Sequence, residues 1–68
     1  MNKFNVGDIL RSIEPNITDS SKYVYVLILD WIDRDAYATP IYTVFSFDSG
    51  NQYQWNSNHV ENYYERAG

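Results

Sequence analysis

At 68 residues the chain is one domain near the lower size limit for a self-sufficient core, and with no cysteine it lacks disulfides and thiolate metal sites to reinforce it. Nine acidic residues against five basic ones give a net charge of −4 and a pI near 4.5; the basic residues (Lys3, Arg11, Lys22, Arg34, Arg66) form no run, so binding to phosphate backbones is disfavoured. The composition does offer aromatic material: seven Tyr, three Phe and two Trp, each ring able to bury about 150–250 Å² in a core or an interface.

The opening MNKFNVGD has no apolar h-region of a signal peptide, and a cytoplasmic protein is expected. Gly7-Asp8 signals a turn or bulge, because glycine takes positive φ freely and aspartate bonds to nearby amides. Ile9 to Ile13 then read as a first strand. Glu14 to Ser21 is a polar loop containing Pro15, which cannot donate a ladder bond. Within it Asn16-Ile17-Thr18 matches the N-glycosylation pattern, which is expected to be a chance match because no secretion signal is visible.

Lys22 to Ile32, KYVYVLILDWI, predicts a long central strand that is apolar on both faces. Tyr23, Tyr25, Leu27, Leu29 and Trp31 line one face; Val24, Val26, Ile28 and Ile32 line the other, with Asp30 the exception. The apolar run Tyr23 to Leu29 is far shorter than the about 20 residues of a membrane-spanning helix. Val24, Val26 and Ile28 are compact and β-branched, suited to a narrow interior. Tyr23, Tyr25 and Leu27 are therefore expected to face outward, with Trp31 if the strand bends near Asp30. The tail covers part of that face through Tyr63 or Tyr64, or it leaves an apolar patch open to a partner.

Asp33 to Pro40 is a second loop, and Ile41 to Phe47 is β-branched and aromatic throughout, hence a strand. Asp48-Ser49-Gly50-Asn51 is a strong turn signal, and QYQW after it alternates cleanly, which places Phe47, Tyr53 and Trp55 in one tight hairpin. The tail supports two readings. Val60, Tyr63, Tyr64 and Ala67 match a helical template that Asn58 and Glu61 would cap. The rival is one helical or 3₁₀ turn through Ser57 to Asn62, followed by a short last strand at Tyr63 to Arg66.

This order of elements resembles an SH3-like small β-barrel of about five strands, with a 3₁₀ or short helical turn near the C-terminus. The resemblance is carried by FNVGDIL at the start, by the hairpin VFSFDSGNQYQW and by VENYYE at the end, and it spans nearly the whole chain, 1–68, as a single domain. The chain also looks like the very small SH3-like accessory proteins that bacteriophages encode. Signalling SH3 domains grip proline-rich helices with a segment like ALYDY and a tryptophan ahead of the hairpin. Here that segment is missing and Trp55 follows the turn. The basic loops of SH3-like ribosomal and transcription proteins are missing too.

Chemistry has few candidates. His59 is the only imidazole, and a lone histidine in a polar segment belongs on the surface. Asp30, Asp33 and Asp35 could hold a hard cation, but Arg34 lies among them and no glycine provides the turn a calcium loop needs, so they read as a solvated loop. No phosphate loop, zinc motif or nucleophile elbow occurs. The expectation is a non-enzymatic protein with no catalytic residues, metal or cofactor. Most rings must fill the core, and the surplus points to an interface. The first functional reading is a protein-interaction module, binding itself as a homodimer and a host or viral protein through Tyr23, Tyr25, Leu27 and Trp31. An alternative is a binder of a small planar ligand or nucleotide, stacked between Trp31, Tyr53 and Trp55. A third is an acidic nucleic-acid mimic. Direct binding to nucleic acid or membrane is not expected.

Overall fold

The structure, a computed structural model, describes residues 3–13, 23–33 and 39–67. Most of the two expected polar loops lies outside these residues, as do Lys22, Asp35 and the Asn16–Thr18 glycosylation match. The elements are β1 (Ile9–Ser12), β2 (Tyr25–Ile32), β3 (Ile41–Ser46), β4 (Gln52–Asn56), a helix α1 (Ser57–Tyr63) and β5 (Tyr64–Arg66). They form one antiparallel sheet in the order β4-β3-β2-β1-β5. The fold is therefore all-β, with one short helix near the C-terminus. The sheet is small-barrel-like without closing into a barrel: β4 and β5 are its two edges, and α1 runs directly from one to the other.

The register fixes the two faces. Leu10 lies opposite Val26, and Val26 opposite Ser46, while Val44 pairs with Ile28. These side chains turn to one side with Tyr42, and there Phe4, Val60 and Tyr64 complete the core. Val24, Trp31 and Trp55 pack against it partly buried. The compact β-branched set expected inside the sheet is thus inside, Val26 and Ile28 fully and Val24 partly.

Two local features shape this interior. Gly7, at φ 94°, allows the chain to turn ahead of β1. Its N–H donates to Ile28, and Ile28 in turn donates to Asp8. The second is a bulge in β2. Ile28 pairs with Val44, but Asp30 pairs with Thr43, so Leu29 is extra in the ladder. Beyond the bulge the parity of β2 is inverted, and Trp31 sits opposite the buried Tyr42 on the core side.

The tail follows the second of its two readings. The helix ends at Tyr63 because Tyr64 is already extended, at φ −130° and ψ 153°, and pairs with Ser12. Its N-cap is Asn56, whose side-chain oxygen accepts from His59 N–H at 2.8 Å; Asn58, where the cap was expected, is the second residue of the helix. The hairpin turn is where it was expected, with Gly50 at φ 73° and its N–H on the Ser46 carbonyl.

Candidate functional site

The outer face of β1, β2 and β3 is the candidate surface. Ile9, Leu27 and Phe45 form one row across the three strands, because Ile9 pairs with Leu27 and Leu27 with Phe45. The next row brings Arg11 opposite Tyr25, and Phe47 N–H donates to the Tyr25 carbonyl. Phe45 and Phe47, two residues apart on the same face, meet edge to face at 5.4 Å. Ile9, Tyr25 and Phe47 remain 47, 41 and 51% exposed, while Leu27 and Phe45 are half-buried beneath them.

Polar groups border this patch. The Arg11 guanidinium pairs with Glu65 of β5 and lies over the Tyr23 ring, 4.9 Å from its centre. On the other side stand Asp30 and Thr43, paired across β2 and β3, and Gln52 and Gln54 of β4. An apolar centre inside a polar border is the ordinary anatomy of a protein interface.

Three of the four residues expected on this interface are on the outer side: Tyr23, Tyr25 and Leu27. Trp31 is not. The bulge at Leu29 turns it to the core side, where its indole N–H is buried and has no acceptor among the described residues. A simple alternation of faces cannot foresee this, because one extra residue reverses every side chain beyond it. The tail does not cover the patch either: Tyr64 points into the core at 7% exposure, burial holding its hydroxyl pKa above the ordinary value, and Tyr63 is 61% exposed at the end of the helix. Phe45 and Phe47, which the sequence placed in the hairpin, belong to the surface and were missed. Their spacing of two along a strand was the available signal.

The rings proposed to sandwich a planar ligand do not form a slot. Trp31, Tyr42 and Trp55 lie in one cross-strand row, so the fully buried Tyr42 separates the two tryptophans. Tyr53 stacks on Trp55 itself, at 5.6 Å and 13°, and its hydroxyl bonds to Ser49 Oγ at 3.0 Å. Trp55, His59, Tyr63 and Tyr64 continue this aromatic cluster along the helix. Beside it lies an open cleft of about 390 Å³ lined by Ser12, Ile13, His59, Asn62, Tyr63 and Tyr64. His59 is exposed there, in contact with rings and with no carboxylate, cysteine or serine nucleophile bonded to it among the described residues.

Asp8 and Asp30 are occupied structurally. Asp8 accepts from the Asn5 N–H and from Arg66, and those two contacts hold its pKa below the usual carboxylate value. Asp30 accepts from the Trp31 N–H next to it. Among the described residues no three His, Asp or Glu side chains converge as a metal site, and no helix is long and apolar enough to cross a membrane. Comparison with protein families, curated proteins and solved structures gave no match.

Proposed function

We propose that this protein is a non-enzymatic interaction module that docks protein on the outer face of β1, β2 and β3. The carrying observation is the continuous apolar surface of Ile9, Tyr25, Leu27, Phe45 and Phe47, which the register assembles from three strands and no described element covers. The occupant is a second copy in the first instance. Every copy carries the same patch, and a two-fold axis lets both be buried at once. The element order supports the SH3-like reading. With it goes the likeness to small phage-encoded accessory proteins, whose partners are host or viral proteins.

The test is Tyr25→Glu, which sets a carboxylate in the middle of the patch at a position that contributes nothing to the core. Sedimentation of the wild type at about 100 μM, where a dimer with a micromolar dissociation constant is nearly fully formed, should show association on this face. The variant should lose the association made through this face, sedimenting as a smaller species than the wild type, and keep the same far-ultraviolet dichroism. A wild type that stays monomeric there removes the second copy as occupant. Capture of a host or viral protein lost in the same variant would then assign the face to that partner.

A further inference from the structure

The two edges of the sheet are unlike, and among the described residues one of them is open. In the ladder between β3 and β4, Ser46 N–H donates to Asn51 and Ser57 N–H to Pro40. Hydrogen-bonded pairs recur every second residue. Tyr53 and Trp55 therefore spend their backbone groups on β3, while Gln52, Gln54 and Asn56 aim theirs away from the sheet. No described group meets the amides of these three.

At the other edge, Ile13 N–H donates to Tyr63 and Ala67 N–H to Ile9, which leaves Tyr64 and Arg66 as the outward-facing residues of β5. The Tyr64 N–H is consumed by the helix, bonding the Val60 carbonyl. This edge is three residues long and carries Glu65 and Arg66. It is blunted in the usual way, by shortness and charge. The β4 edge is five residues long, and the stretch from Ser49 to Asn58, SGNQYQWNSN, has no charged residue and no proline. In a chain of net charge −4, that is the longest part of the sheet's border left without a guard.

We infer that the β4 edge pairs with the β4 edge of a second copy, antiparallel and two-fold, extending the sheet through both molecules. The sequence of the strand is self-complementary in that arrangement. Gln54 lies on the axis and exchanges both backbone bonds with its counterpart. Asn56 N–H donates to the Gln52 carbonyl across the seam, its own carbonyl belonging to the first turn of α1. On the core side Tyr53 meets Trp55 of the second copy and Trp55 its Tyr53, so the stacked pairs of the two molecules form one block of four rings. On the outer side, glutamine and asparagine amides meet one another, a pairing that favours stacked strands. A one-residue slip would set amides against rings and mismatch the backbone bonds, and of the registers that remain the one centred on Gln54 overlaps all five residues of β4. This interface shares no apolar residue with the Tyr25 patch, meeting it only at the border residues Gln52 and Gln54, and stands without it.

Amide hydrogen exchange at about 20 μM and about 1 mM tests it, because an amide bonded only in the pair is protected in proportion to the paired fraction. Exchange at Gln54 and Asn56 should slow about tenfold or more at the higher concentration, and equally so in Tyr25→Glu. Gln54→Lys brings two like charges face to face on the axis and should weaken pairing about fivefold or more. Gln54→Pro removes an N–H that points away from the sheet, a position edge strands tolerate, and should abolish pairing while the fold remains. Equal exchange at both concentrations overturns the inference. So does protection that Tyr25→Glu removes, protection that Gln54→Lys leaves intact, or protection that appears only when an extended segment of another protein is added.

Discussion

Tyr42 stands in the middle of β3 with its ring fully buried and its hydroxyl at one end of the core. That hydroxyl donates to Glu61 of the helix at 2.8 Å and accepts from the Phe4 N–H at 3.3 Å. One side chain thus ties the N-terminal segment, the central sheet and the helix together. Removing only the oxygen, Tyr42→Phe, keeps the ring and loses both bonds. We expect a loss of about 1–3 kcal/mol in urea unfolding, within the range for a buried bonded group. Burial raises the Tyr42 pKa above its ordinary value of 10.0, and Glu61 beside it adds to the rise. The neutral hydroxyl is therefore favoured by folding. Its stabilisation is complete below pH 10.0 and is lost as pH rises through the elevated folded value. Tyr64, also raised by burial, acts in the same direction. Stability should fall above pH 10.0, and Tyr42→Phe should show a shallower fall over the same range.

Among the elements, the helix shows how a seven-residue segment is held. An isolated helix of this length is not stable in water. Here Asn56 caps its start, Val60 is fully buried, and Tyr64 leaves directly into β5, where the ladder with β1 takes over. Asn56→Ala should cost about 1 kcal/mol, the usual loss of an N-cap, read as a lower thermal midpoint with the sheet signature unchanged. The same segment marks where sequence reasoning stops. The spacing of Val60, Tyr63, Tyr64 and Ala67 matched a longer helix, yet Tyr64 gains more by pairing with Ser12 and burying its ring than by one further helical turn. Turn chemistry at Gly7 and at Asp48 to Asn51, and β-branched runs in β2 and β3, made the succession of strands along the chain readable. The bulge at Leu29 was not readable, because its cause is a register against β3 rather than any residue type in β2. Tyr23, Tyr25 and Leu27 were legible as outward because they precede it, and Trp31 was misplaced because it follows.

For the molecule as a whole, the fully buried side chains below 2% exposure are Tyr42, Phe4, Leu10, Ile28, Val26, Val44 and Val60. Six of these come from strands or the helix; Phe4 comes from the segment before β1. It is 1% exposed, its ring 6.3 Å from that of Tyr42 and covered by the Arg66 guanidinium at 5.6 Å. Arg66 itself is held by Asp8 and by the Lys3 carbonyl, and the Lys3 N–H bonds Glu61. The N-terminal segment therefore seals one end of a sheet that hydrogen bonds do not close. A domain of this size has a total stability of about 5 kcal/mol, and truncating a buried phenylalanine removes about 3–5 kcal/mol. Phe4→Ala should consequently leave the chain largely unfolded near room temperature, with lost tertiary chemical-shift dispersion for Val26, Val44 and Val60. Phe4→Leu keeps most of the volume and should remain folded with a lowered midpoint. If Phe4→Ala instead unfolds at the wild-type midpoint, the seal contributes nothing, and the core on the sheet and helix is sufficient without it.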